Sequence, residues 1–415
     1  MVGDPFALCR GLFASRINRR SLLVRSAGAG ALLASSGALA RYAAAQEGTP
    51  GAVQIPPGCT LVAENLINPR YLAVASDGSI YVTEAGTGGD EELVLPIVEP
   101  GASPTSGTPE ARPAGNRGLT GQVSRIAPDG TTEVVVSGLP SYSVEEPVGP
   151  AGITIADDGT IWMAVGGPGP ATPFVDPLPN ENSVVSVDPA TGTVTSVADI
   201  GAYEKANNPH PASIDSNLYG IAVGPDGMIY VADAGGNTVY KVDPASGSLE
   251  VVAVIEDIPL PEGAMGPPML EPVPTSIAPI PEGGLYVGLL SGGPFPPGAA
   301  KILQISADGT ATDAVTGLTM VVDVKIGPDG NLYASQISLN LLSAPPEPGN
   351  VVRINADGSQ EVVVEGLPLP NGIDFDAEGN LYIVANAVSF GPPTGMVLRC
   401  DGVAAPGGMS GTPTA

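Results

Sequence analysis

The chain holds a single histidine, His210, and three cysteines. One imidazole excludes a histidine dyad and every multi-histidine metal centre, and so few thiols exclude a cysteine cluster. Zinc, copper and non-haem iron are left without their customary ligands. A Ser-His-Asp triad would rest wholly on His210, which lies between Pro209 and Pro211 and reads as an exposed loop residue. Basic residues are scarce, with 16 Lys and Arg against 43 Asp and Glu. Such a surface repels DNA, RNA and anionic lipid. G-x-S-x-G, H-E-x-x-H and the phosphate-binding G-x-x-x-x-G-K are all absent. Aromatics make up 4% of the chain and helix signals are nearly missing. No apolar stretch is long enough to span a bilayer stably.

Glycine and proline are abundant instead, 56 and 45 residues, and they supply the turns of a many-stranded fold. The clearest stretch is Asn217 to Asp243, NLYGIAVGPDGMIYVADAGGNTVYKVD. Period-two apolar runs separated by Asp-Gly and Gly-Asn turns signal an antiparallel meander. A further run, Leu249 to Ile255, completes four strands. The inner pair recurs as RYLAVASDGSIYVTEAG, AGITIADDGTIWMAVGG, PTSIAPIPEGGLYVGLL, VVDVKIGPDGNLYASQI and NGIDFDAEGNLYIVANA. Four-stranded repeats spaced about 45 to 80 residues apart predict an all-β fold, a six-bladed β-propeller of antiparallel blades.

The sixth copy has three strands of its own, Gly372–Phe375, Leu381–Val384 and Met396–Cys400. Its outer strand is expected from the N-terminal side, at Thr60 to Glu64, which closes the ring without a free sheet edge. Cys59 begins that strand and Cys400 ends its partner, so antiparallel pairing sets them side by side. A disulfide across the seam is expected in an oxidising compartment.

That compartment is indicated by residues 1–45. Arg19-Arg20 precede an apolar stretch from Ala27 to Ala40, and Ala43-Ala44-Ala45 offers a cleavage site. This reads as a twin-arginine signal peptide of a protein exported already folded, to the periplasm, cell envelope or medium. Its removal takes away six arginines and one aspartate and leaves a net charge of −32. The expected organisation is 1–45 signal peptide, 46–58 flexible linker, 59–402 propeller and 403–415 disordered tail. No transmembrane segment and a monomeric state are expected after cleavage.

Pro- and Gly-rich insertions interrupt the blades at Asp90–Arg117, Ala164–Glu181, Glu256–Pro274, Leu289–Pro297 and Ser338–Gly349. Asp90–Arg117 is polar and broken and reads as a long loop. These connections lie on one face of a propeller, so a binding function for a small molecule or protein is expected there. Gly201–Asn217 is the most unusual insertion; Ala202 to Asn207 could form one helical turn. Oxygen-bearing side chains are expected at the central mouth: Glu84, Asp215, Asn217, Asp233, Asp323 and Asn371, with Asp374 and Asn386 nearby. A calcium ion at Glu84, Asp215, Asn217 and Asp323 would relieve their mutual repulsion; the alternative is that they cap strands and turns. Tyr71, Tyr219, Tyr230, Tyr286, Tyr333 and Tyr382 occupy matching places and read as packing residues.

GPDGMIYVADAGGNTVYKVDP resembles an NHL-type propeller repeat. The fuller set, with NPRYLAVASDGSIYVTEAGTGG, AYEKANNPHPASIDSNLYGIAV and YVGLLSGGPFPPGAAKI, resembles the ScyD/ScyE family of exported bacterial propellers. The resemblance implies the fold and export and supplies no reaction. More distant six-bladed relatives include calcium-dependent lactonases similar to gluconolactonase and lyases that open cyclic antibiotics. A lactonase would use the four calcium ligands to polarise a lactone carbonyl; a lyase would place the base on His210.

Overall fold

A computed structural model describes residues 55–96, 111–143, 146–169, 176–211, 214–343, 345–388 and 393–406. The expected signal peptide lies outside them. The described strands form six antiparallel blades around one axis. Their inner strands are Pro69–Val74, Pro150–Ile155, Leu218–Val223, Pro274–Pro279, Val321–Ile326 and Ile373–Phe375. Valine, isoleucine and leucine alternate along them because each blade presents one face to either neighbour. Blade 3 shows the plan: Leu218–Val223, Ile229–Asp233, Thr238–Val242 and Leu249–Val254 pair in chain order.

Closure follows the sequence expectation. Cys59–Leu66 pairs with Gly395–Cys400 as the fourth strand of blade 6, with Cys59 opposite Cys400. The two cysteines form a disulfide. It ties together residues 341 apart in sequence. Chain entropy alone would allow about 5–6 kcal/mol for so long a loop. The paired seam already restrains the ends, so the net gain is smaller.

The Asp-Gly turns gather on one face. Asp77, Asp129, Asp158, Asp226, Asp308 and Asp329 each accept a hydrogen bond from the backbone N–H two residues on. This local bond is why aspartate suits the turn. Blade-to-blade and second-to-third-strand connections gather on the opposite, long-loop face. There Asp90–Arg117 departs from the expected loop. Glu91–Pro96 and Ala111–Ile126 are strands that pair with each other. The latter also pairs with Thr132–Ser143 and runs past the end of Ile80–Glu84. This extension stands above the ring, where its ladder and the buried Leu93, Leu139 and Tyr142 hold it, so few apolar residues suffice.

The expected helical turn is the helix Ile200–Asn207, capped by Asp199, whose side chain accepts from the Ala202 N–H. Ala404, placed in the expected disordered tail, is buried, and its N–H donates to Gly379 O at 2.9 Å. No described helix is long and apolar enough to cross a membrane.

Candidate functional site at the axis

Strand register aligns the six copies at the axis. Leu72, Ile153, Ile221, Ile277, Val324 and Ile373 hold equivalent places opposite the second strands. Two residues earlier stand Arg70, Ala151, Tyr219, Thr275, Val322 and Asn371, one from each blade. Two residues earlier again, at the mouth, stand Asn68, Gly149, Asn217, Val273, Met320 and Leu369. Each of these six offers its carbonyl oxygen to an N–H just beyond its own blade's second strand, at 2.9–3.2 Å.

Tyrosine closes the axis. The Tyr71 hydroxyl lies 2.6 Å from both Thr275 O and Val322 O, on the far side of the ring, and can donate to either. Its ring meets Tyr219 edge to face, with centroids 5.6 Å apart. The Tyr219 hydroxyl accepts from Asn371 Nδ2 at 3.1 Å. Burial, and then the Asp323 charge, push the Tyr71 hydroxyl well above its ordinary pKa. Burial also raises Tyr219, against the nearby Arg70 charge. Glycine in the column between lets adjacent inner strands approach closely around these rings. A Cβ at Gly372 would stand 2.6 Å from Tyr71 Cα, and one at Gly220 2.6 Å from Ser276 Cα. Tyr230, Tyr333 and Tyr382 serve elsewhere, each with its hydroxyl against a turn-face aspartate.

Beside Tyr219 lies a buried charge pair that the sequence did not disclose. Arg70 and Glu146 are each 2% exposed, with Arg70 Nη2 3.8 Å from Glu146 Oε2. Arg70 Nη2 also donates to Pro147 O. The pair, with Pro147, Val148, Gly149, Ala151, Asn217 and Tyr219, lines a small, partly open cavity of about 10 Å³. Arg70 stood in view within NPRY, the one charged residue of the axis column. Its partner Glu146 lies in the connection between blades 1 and 2, outside the repeated strands, so aligning the copies does not reveal the pair.

Six of the eight residues expected at the mouth fall into three groups. Asn217 and Asn371 reach the axial centre, as described. Glu84 and Asp233 turn into their own blades. Glu84 accepts from Ile67 N–H, Gln122 Nε2 and Ser124 Oγ. Asp233 accepts from the N–H groups of Asn217, Gly235 and Gly236. Gln336 holds the matching place in blade 5 and accepts from Thr319 N–H. The strand-capping alternative describes these positions. Asp323 and Asp374 stitch neighbouring blades: Asp323 accepts from Val324 and Ile373 N–H, and Asp374 from Val74 N–H. Burial pushes Asp323 up to about 7, with Lys325 opposing. Although burial works against its charge, Lys325 is held above its ordinary value by Asp374 and Asp323.

Asp215 is buried against the glycine turn of blade 2 and accepts from Ser216 N–H. Asn386 donates to Thr394 O. His210 is half-buried rather than exposed, and burial lowers its pKa against the pull of Asp257 and Glu256. Among the described residues no three His, Cys, Asp or Glu side chains gather as a metal site would require.

The mouth is polar on one side and apolar on the other. In blades 4 to 6, Val273, Met320 and Leu369 join Leu290, Phe295, Ile337, Leu341 and Val388 in one buried cluster that continues onto Tyr71 and Tyr219. Four large apolar side chains, Ile214, Met265, Met269 and Leu342, stand exposed in the connections of the long-loop face, and Leu119 stands exposed on the strand Ala111–Ile126 that extends above it. Met265 is 88% exposed.

A family model described as the SMP-30/gluconolactonase/LRE-like region matches residues 274–411, which is blades 4 to 6. No protein of curated function matches the chain by sequence. Among solved structures, a streptogramin B lyase is 15% identical over 82% of this chain and 97% of its own, with a TM-score of 0.44. The virginiamycin B lyase of Staphylococcus aureus is 17% identical over 78% and 81%, with a TM-score of 0.42. A gluconolactonase of Xanthomonas campestris is 12% identical over 84% and 99%, with a TM-score of 0.42. The chain is thus a six-bladed propeller whose second half is similar to the SMP-30/gluconolactonase/LRE-like family.

Proposed function

We propose that this is an exported propeller, similar to the ScyD/ScyE family, that binds a ligand or protein partner on its long-loop face. The observation that carries the reading is the set of exposed apolar side chains there, Ile214, Met265, Met269 and Leu342 on connections from several blades and Leu119 on the strand extension of blade 1. Water-facing side chains of this size, arranged on one face of a rigid scaffold, are what a partner would cover. The opposite face presents aspartates engaged in their own turns. The twin-arginine pattern and the seam disulfide support an oxidising destination outside the cytoplasm.

The test is retention of envelope and secreted components on the mature chain, against a Met265→Asp, Leu342→Asp variant. The expected outcome is a bound species that the variant loses at least tenfold. Equal retention by both proteins would remove this face from the function.

A second reading, a calcium-dependent lactonase, has support in the family model matched over residues 274–411. Its ligand set, Glu84, Asp215, Asn217 and Asp323, fits a shared ion poorly. Glu84 and Asp323 direct both carboxylate oxygens to protein donors in two different blades. Thermal melts with calcium and with chelator separate the readings. Coincident melts remove the lactonase. A rise of several degrees with calcium, lost in Asp215→Ala, would put it first.

A further inference from the structure

The axis column holds Arg70, Ala151, Tyr219, Thr275, Val322 and Asn371, and alanine is its smallest member. The cavity of about 10 Å³ lies where Ala151 leaves space between Arg70 and Tyr219. That is room on the scale of one water molecule.

Two of the residues lining it carry polar atoms without a hydrogen-bond partner among the described residues. They are Arg70 Nη1 and both amide atoms of Asn217, Oδ1 and Nδ2. Arg70 is 2% exposed and Asn217 1%. Asn217 is held in place: its backbone N–H donates to Asp233 at 2.7 Å, and its side chain packs against the bare Cα of Gly166. Buried donors and acceptors left unsatisfied are rare in native folds, and the two residues that carry these atoms line the same small cavity, which points to a common occupant.

We propose that the cavity is a built site for one uncharged oxygen that both accepts and donates hydrogen bonds, namely a water molecule. It accepts from Arg70 Nη1 and Asn217 Nδ2 and donates to Asn217 Oδ1. The surrounding charges select against ions. A cation would face the Arg70 guanidinium. An anion would lie beside Glu146, the carboxylate partner of Arg70, and has no proton to give Asn217 Oδ1. The water joins the inner strands of blades 1 and 3 across the short side chain of blade 2. It does there what Tyr71 does toward blades 4 and 5.

The test has two arms that do not depend on the ligand of the long-loop face. Crystals of the mature protein should show a single water peak in contact with Arg70 and Asn217, and no anomalous peak after a bromide soak. An empty cavity, or bromide within it, overturns the proposal. Melting of Asn217→Leu supplies the second arm. A bridging water predicts a fall of several degrees, because the substitution removes its donor and acceptor and weakens its hold on Arg70 Nη1. A dry cavity predicts a rise, because an apolar side chain of similar size replaces an unsatisfied amide. Should that variant fail to fold, the bromide-soaked and native maps still decide.

Discussion

Asn68, Gly149 and Asn217 hold the same place in blades 1 to 3 that Val273, Met320 and Leu369 hold in blades 4 to 6. All six offer their carbonyl oxygen to the same repeated hydrogen bond. The partners differ in kind as well: Ala85, Gly166 and Ala234 on one side, Leu290, Ile337 and Ala387 on the other. Because the backbone makes the joint, the side chains are free to diverge. One half of the mouth holds Arg70, Glu146 and Asn217 around a cavity. The other is filled by a plug of Val273, Leu290, Phe295, Met320 and Leu369. Polar and apolar packing are therefore segregated around the axis, and substitutions on the two sides should have different consequences.

Tyr71 joins the halves, so its loss should be the largest effect. Tyr71→Ala removes a buried ring and the bond to blades 4 and 5, and should cost about 4 kcal/mol in denaturant unfolding. Tyr71→Phe keeps the ring and should cost about 1 kcal/mol. Equal losses would mean that the hydroxyl, rather than the ring, closes the axis. Met320→Asn then asks whether the plug tolerates the polarity of the other half. Met320 is 1% exposed within an apolar cluster. An amide there should lose about 3 kcal/mol, even though asparagine stands at the matching place in blades 1 and 3. A near-neutral result would show that the two halves are interchangeable.

The difference between the halves also marks what the sequence disclosed. Blade number, strand order, ring closure and the Cys59–Cys400 bond follow from period-two runs and turn signals, which are local. The axial site is not local. Its residues are one per blade, drawn from positions 70 to 371, and a side chain's neighbours there are set by the ring. Glu84, Asp233 and Asp323 looked like mouth ligands because they sit at or near strand ends. Strand ends are also where unpaired backbone N–H groups need acceptors, and that need claimed them. Asp90–Arg117 misled for a related reason: its strands are held by a ladder above the ring and lack the apolar alternation of a buried blade.

Each half buries one carboxyl with a pKa near neutrality, Glu204 beside blades 2 and 3 and Asp323 between blades 5 and 6. Burial, with the Asp233 charge adding to it and the Tyr240 hydroxyl opposing, pushes Glu204 up to about 7. The folded protein then holds the Glu204 proton more tightly than the unfolded chain. Stability from this group is full at low pH, falls as pH rises from about 4.5 to about 7, and stays reduced above. Glu204→Gln keeps an acceptor for Tyr240 and removes the titration. It should be about 2 kcal/mol more stable than the wild type at pH 8 and close to it at pH 5. Asp323 keeps titrating in that variant, so some pH dependence should remain. A pH-independent difference would assign the gain to packing instead.

The smallest effect concerns backbone rather than side chain. Val273 and Met320 have φ of +50° and +48°, and Asn68 has +50°. Asparagine tolerates this region; a β-branched valine is strained in it by about 1–2 kcal/mol. Val273 keeps its place because its side chain is buried in the plug, and that burial offsets the strain. Val273→Gly should relieve the strain while losing the burial and loosening the unfolded chain. The net loss should be about 1 kcal/mol, below the cost of Val287→Ala, about 2 kcal/mol, at an unstrained and equally buried strand position. If Val273→Gly costs more than Val287→Ala, the left-handed turn is not strained. Residue choice at the mouth would then follow from packing alone, in the polar half as in the plug.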